Sequence, residues 1–73
     1  LPLRELVDIE AELARLAKDR KNAEADLART EGKLANEGFT SKAPANIVEQ
    51  ERRKAERLRE LIAKIDESVK ALG

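Results

Sequence analysis

The sequence predicts an all-α protein in which two long helices form an antiparallel coiled-coil hairpin. Apolar residues recur at spacings of three and four along both halves of the chain, and one short segment rich in turn-forming residues separates the halves. A spacing that averages about 3.5 residues is the period of a left-handed coiled-coil seam. We expect a single domain over residues 1–73, with helix one at about 8–36, a loop at about 37–43 and helix two at about 44–71.

The composition excludes many other classes of protein. The 73 residues include 15 Lys or Arg and 15 Asp or Glu, so the formal net charge is zero, and 41% of the residues are charged. The absence of Cys and His removes disulfides, thiolate zinc sites and imidazole acid–base chemistry. Because no apolar run could cross a membrane and no signal peptide is apparent, we expect a cytoplasmic chain. We expect no catalytic, cofactor-binding or metal-binding residues in it.

The first helix carries a heptad pattern that begins at Leu6. We expect Asp8 to cap its N-terminus, since an aspartate oxygen accepts hydrogen bonds from the free amides of a first turn. We expect Gly38 to end the helix in the left-handed conformation, with Phe39 packing against Leu34. The seam positions are Leu6, Ile9, Leu13, Leu16, Arg20, Ala23, Leu27, Thr30 and Leu34.

The second helix follows Pro44, which suits a first helical turn because its missing N–H has no partner to lose there. A short break between two amphipathic helices predicts an antiparallel pair. Two polar seam residues, Arg20 and Glu51, are expected to snorkel from the seam or to set its register. The seam positions of helix two are Val48, Glu51, Ala55, Leu58, Ile62, Ile65, Val69 and Leu72.

Two registers of the hairpin are compatible with these heptads. The preferred register places Leu16 beside Ile62, and the alternative register moves helix two by about one heptad. We prefer the first register because it places Pro44 level with Leu34 and leaves a loop of plausible length.

Basic residues concentrate in one stretch of helix two. Residues 52–59 carry five basic side chains and one acidic side chain, more than pairing with neighbouring acids requires. In the preferred register this stretch lies beside residues 19–26, which predicts a basic girdle around the middle of the hairpin. The girdle is either a solvated surface or a strip that binds phosphates. The candidate RNA-binding residues are Arg20, Lys21, Arg52, Arg53, Lys54, Arg57 and Arg59 in the girdle, with Lys33, Phe39 and Lys42 towards the loop.

The open end of the hairpin is expected to be acidic and to repel phosphate. In the preferred register five carboxylates gather there: Asp8, Glu10, Glu12, Asp66 and Glu67.

The loop and its flanks resemble the C-terminal arm of bacterial valyl-tRNA synthetases. The similar residues are the run Gly32–Phe39, followed by Lys42-Ala43-Pro44, Ile47-Val48-Glu49 and Glu51-Arg52. The run Leu6–Leu13, with Arg15-Leu16, also resembles the entry to that arm. The resemblance covers nearly all of the chain, and the loop pattern is its specific part because a generic hairpin does not require it.

This resemblance implies a non-catalytic, tRNA-binding arm that packs on the outer corner of tRNA, where the D and T loops meet. It implies two partners, tRNA and the catalytic body of a valine–tRNA ligase, and it implies ATP for that parent enzyme only. We expect the arm to be a monomer without membrane contact. The residues alone leave two alternatives open: a structural or protein-binding coiled coil, and a nucleic-acid-binding tail of a translation-associated ATPase.

Overall fold

The computed structural model describes residues 3–72, which form three helices separated by two short breaks. Helix α1 spans Leu3–Ala35, helix α2 spans Glu37–Lys42 and helix α3 spans Ala45–Leu72. Helices α1 and α3 pack against each other in a rod that measures 58 × 14 × 13 Å. The predicted all-α hairpin of two long helices is confirmed.

Ion pairs between α1 and α3 show that the two helices run antiparallel. As the residue number on α1 increases from one pair to the next, the number of its partner on α3 decreases. The three pairs are Arg20 with Asp66, Glu31 with Arg59, and Lys33 with Glu51.

The preferred register is wrong, and the structure has the alternative one. In the preferred register Arg20 lies opposite Leu58, whereas in the structure it pairs with Asp66, about one heptad further along α3. The difference arises at the connection. Most of the expected loop is folded as α2, and the chain bends in extended conformations at Asn36 and Ala43, on either side of it.

The first of these bends lies at Asn36, whereas the sequence predicts that the first helix ends at Gly38. The Asn36 backbone is extended (φ −84°, ψ 111°), and its side-chain oxygen accepts a hydrogen bond of 2.9 Å from the Gly38 amide. Asn36 thereby caps the N-terminus of α2, a position that favours short polar side chains. No glycine within residues 3–72 has a positive φ, so the predicted left-handed cap at Gly38 is wrong.

Pro44 directly precedes α3. Its carbonyl oxygen accepts the first hydrogen bonds of the helix, from the amides of Ile47 (3.0 Å) and Val48 (3.1 Å). The missing N–H of proline costs nothing at this position. Ala43 is extended (φ −74°, ψ 148°), as contact with a following proline ring favours.

Helix α1 extends beyond the end of α3. It already includes Leu3, so Asp8 lies inside the helix and the predicted cap at Asp8 is wrong. In the observed register, the last turn of α3 is level with about Leu13. The first turns of α1 therefore lack a partner helix, and Leu6 and Val7 are 44% and 61% exposed.

The core is a narrow seam between α1 and α3. Thr30 is buried in this seam, and its hydroxyl donates a hydrogen bond of 2.9 Å to the Asp26 carbonyl oxygen, so burial leaves no unpaired hydroxyl donor. Among residues 5–72, all of the buried side chains occupy predicted seam positions: Leu16, Ala23, Thr30, Val48, Ala55 and Ile65.

Candidate nucleic-acid interface

The basic stretch 52–59 lies in the half of the hairpin nearer the connection. Arg59 donates a hydrogen bond of 2.8 Å to Glu31, and the ammonium of Lys33 lies 3.7 Å from Glu51. The sequence suggested two separate groups, the stretch on α3 and the basic residues near the loop. In the structure both groups lie in this half of the molecule.

Arg20 and Lys21 lie apart from that stretch. Arg20 donates hydrogen bonds of 2.7 and 3.2 Å to Asp66 and also pairs with Glu24. The hydrogen bond with Arg20 lowers the pKa of Asp66 and raises the pKa of Arg20 itself. The predicted girdle, which joined Arg20 and Lys21 to the stretch on α3, is wrong because it depended on the wrong register.

The predicted acidic end is divided for the same reason. Asp66 faces Arg20, whereas Asp8 and Glu10 are exposed on the part of α1 that extends beyond α3. Glu12 pairs with Arg15 of its own helix. The five carboxylates therefore do not form one cluster.

Ion pairing divides the basic residues of the stretch into two sets. Arg53 and Arg59 have carboxylate partners, at 3.5 Å from Glu49 and 2.8 Å from Glu31. In the part of the chain that the structure describes, the other three have no carboxylate within 4.0 Å: Arg52, Lys54 and Arg57. Such unpaired cations can exchange their counterions for phosphates.

A shallow groove of about 420 Å³ runs along this part of α3. It is lined by the unpaired Lys54 and Arg57, by Gln50 and Arg53, and by one acidic residue, Glu51. Positions 50, 53, 54 and 57 are neighbours on a helix surface because they are three or four residues apart. The groove thus presents ammonium, guanidinium and amide donors to an anionic ligand.

Sequence reasoning did not select Gln50 as a candidate residue. The signal for it was available, since Gln50 lies four residues before Lys54 and seven before Arg57, on the same side of an amphipathic helix. The predicted candidates are basic residues and one aromatic residue, whereas a neutral amide can also donate a hydrogen bond to a phosphate.

The three candidates near the loop occupy the end of α1 and α2. Lys33 lies in the last turn of α1 and Lys42 is the last residue of α2, where it is exposed. Phe39 lies within α2 and is half-buried, so its ring is not a fully open platform for stacking on a base.

The described residues form neither a membrane-spanning helix nor a metal centre. Residues 3–72 contain no helix that is both long and apolar enough to span a bilayer. The same residues contain no group of three or more potential ligands placed to hold a metal ion.

Comparison with known proteins identifies the relatives of this chain. The family model of the valyl tRNA synthetase tRNA binding arm matches residues 8–73. Similar curated proteins include the valine–tRNA ligases of Clostridium acetobutylicum (38% identical over 72 residues), Clostridium perfringens (44% over 72) and Nitratidesulfovibrio vulgaris (50% over 66). These matches cover 99%, 99% and 90% of this chain, and 8% of each relative. No solved structure gives a significant match. The resemblance first indicated by the loop pattern is confirmed.

Proposed function

We propose that this chain, which belongs to the family of valyl-tRNA synthetase tRNA-binding arms, binds tRNA. The proposed contact is the half of the hairpin nearer the connection, where the basic stretch 52–59 lies. That family describes a tRNA-binding part of the ligase and not its catalytic part. The chain spans 8% of the length of the curated relatives named above. In our proposal, valine ligation and the use of ATP belong to a catalytic body outside this chain.

Unpaired positive charge on α3 is the observation that carries the proposal. The net charge of the chain is zero, so attraction to a polyanion has to come from a local excess of cations. Lys54 and Arg57, which both line the groove, provide that excess, since they have no carboxylate within 4.0 Å among the described residues. Each phosphate that they neutralise releases counterions, which favours binding.

The mode of contact that fits this surface is recognition of backbone and shape. The chain has a single aromatic residue, Phe39, and it is half-buried, so stacking on several bases is not available. Folded RNA can instead be recognised through its phosphates, its 2′-hydroxyls and its shape. A rod 58 Å long and about 14 Å thick can lie along such a surface.

The proposed partners are tRNA and the rest of a ligase. We place the contact at the outer corner of tRNA, where the D and T loops meet, as the resemblance implies. The second partner is the catalytic body of an ATP-dependent valine–tRNA ligase. The arm acts as a monomer in the cytoplasm.

The proposal is tested by titrating the chain with three nucleic acids at several salt concentrations. These are intact valine tRNA, an acceptor-stem minihelix that lacks the corner, and a DNA duplex with as many phosphates as the tRNA. We expect the tightest binding to intact tRNA, with an affinity that falls as salt rises. Equal affinity for the minihelix would contradict contact at the corner. Equal affinity for the duplex would favour a general nucleic-acid-binding tail, and an absence of salt-dependent binding would contradict tRNA binding itself.

A further inference from the structure

We infer that one side of α3, and not the whole basic stretch, contacts the RNA phosphates; this inference rests on the proposed function. That side carries Gln50, Lys54 and Arg57, and it is bounded by Ile47 and Leu61. We refer to these five residues as the groove face.

The groove face has no acidic member. Its residues follow one another at intervals of three and four, so they are neighbours on the surface of the helix. Lys54 and Arg57 are both unpaired with carboxylates among the described residues, and Gln50 adds an uncharged donor beside them. A phosphate backbone lying along this face meets two cations and an amide. One carboxylate, that of Glu51, lines the groove beside them, and it lies 3.7 Å from the ammonium of Lys33.

The other side of α3 has a different charge pattern. Glu49, Arg52, Glu56 and Arg59 follow one another there at the same intervals, and we refer to them as the mixed face. Arg59 is already hydrogen-bonded to Glu31 of α1 at 2.8 Å. Because acidic and basic residues alternate, the attraction of Arg52 for a polyanion is offset by its neighbours. The basic stretch therefore has one side that favours phosphate and one that is nearly neutral.

Shape and apolar surface also distinguish the groove face. The groove of about 420 Å³ is lined by Gln50, Lys54 and Arg57 of this face, together with Glu51 and Arg53. Ile47 and Leu61, at its two ends, are 37% and 46% exposed. Apolar contacts at the edge of an interface exclude water from the charged hydrogen bonds inside it and strengthen them. A ribose–phosphate backbone suits this face, since its phosphates are anionic and its sugars present carbon atoms.

Two matched double variants separate the faces. Lys54→Gln with Arg57→Gln removes two positive charges from the groove face, and Arg52→Gln with Arg59→Gln removes two from the mixed face. The two variants have the same net charge, and glutamine is a good helix former in both. Each is titrated with intact valine tRNA at several salt concentrations, after far-UV circular dichroism has shown that its helix content equals that of the parent chain.

We expect the groove-face variant to bind tRNA more weakly and to lower the salt slope by about two units, about one for each lost phosphate contact. We expect the mixed-face variant to change the slope by less than about one unit. Equal losses in the two variants, or a larger loss in the mixed-face variant, would overturn the groove face while leaving tRNA binding intact. An absence of salt-dependent binding by the parent chain would overturn the proposed function, and this inference with it.

Discussion

The guanidinium of Arg20 binds both carboxylate oxygens of Asp66 across the hairpin, with hydrogen bonds of 2.7 and 3.2 Å. Arg20 occupies a seam position of α1, where an apolar residue is the rule in a coiled coil. A polar residue at such a position specifies the register at a cost in stability. The pair therefore favours the register in which Arg20 meets Asp66 over the one in which it meets the apolar Leu58.

Substituting Arg20 and Asp66 by Ala, singly and together, should reveal a favourable coupling between them. Once one partner is absent, removing the other should destabilise the hairpin less, because the two hydrogen bonds are already lost. Chemical denaturation of the parent and the three variants measures this difference. The control is the same cycle with Arg20 and Glu67, which is exposed beside Asp66. Additive losses for Arg20 and Asp66 would contradict the observed register.

Acid should weaken the hairpin through Asp66. The hydrogen bond with Arg20 lowers the pKa of Asp66 below its ordinary value of 3.8. Folding therefore favours the ionised form, and this contribution to stability is present above pH 3.8 and is lost as the pH falls through the lower pKa of the folded state. Thermal melts from about pH 2 to about pH 6 should show the parent losing its advantage over Asp66→Asn in acid. A difference in melting temperature that does not change with pH would show that this linkage is absent.

The seam could be predicted from the sequence, but the register could not. Leu16 and Ile65 are buried as expected because the heptad period alone decides which side of each helix faces the other. Shifting one helix by a heptad again aligns apolar positions, so the period does not distinguish the two registers. The deciding feature is the short helix after Asn36, a segment whose Gly38 and following Pro44 predict a loop.

The sequence predicts that basic residues concentrate in one stretch of α3, but not which of them are free of ion pairs on the folded surface. The excess of basic residues in 52–59 is visible in the sequence. Which of them are unpaired depends on tertiary contacts, since the partner of Arg59 is Glu31, 28 residues earlier in the chain. The register decides that contact, and it also separates Arg20 from the basic stretch. The side of α3 that offers unpaired charge therefore became apparent only in the folded hairpin.

Truncating a seam residue should destabilise the protein far more than truncating an apolar residue at the edge. Ile65 is 5% exposed, so Ile65→Ala should cost about 2–5 kcal/mol of unfolding free energy. Leu61 is 46% exposed, so the matched control Leu61→Ala should cost about 0.5 kcal/mol. Leu13 is half-buried, and Leu13→Ala should fall between them. Urea denaturation measures the three values, and equal costs for Ile65 and Leu61 would contradict the position of the seam.

The two glycines within the helices should respond differently to alanine. A Cβ added at Gly32 meets no atom within 4 Å, so Gly32→Ala should stabilise the hairpin by about 0.5–1 kcal/mol through helix propensity. A Cβ at Gly38 lies 3.1 Å from the side-chain oxygen of Asn36. Because that oxygen caps α2, Gly38→Ala should gain less or lose stability. Thermal melts measure the change in stability of each variant. A larger gain for Gly38→Ala than for Gly32→Ala would show that the added Cβ does not weaken the Asn36 cap.

Glu51 combines an unfavourable environment with a position beside the proposed RNA-binding groove. It is a seam residue whose side chain is 19% exposed, and its Oε2 atom is buried without a hydrogen-bond partner. The other oxygen lies 3.7 Å from the ammonium of Lys33, which is too far for a good hydrogen bond. An unsatisfied buried acceptor costs about 1–3 kcal/mol, and more when it is charged.

Glu51→Leu should therefore raise both the stability of the hairpin and its affinity for tRNA. Stability should rise by about 1–3 kcal/mol, since the substitution removes the unsatisfied acceptor and adds apolar contact to the seam. Affinity should rise because the only acidic side chain that lines the groove is lost and Lys33 no longer has a carboxylate beside it. Glu51→Gln is the control, because it removes the charge but keeps a polar group in the seam. Urea denaturation and a tRNA titration separate the two effects: we expect the control to share the gain in affinity without the full gain in stability. A Glu51→Leu chain that is less stable than the parent would contradict this prediction, because it would show that the Glu51 carboxylate stabilises the hairpin.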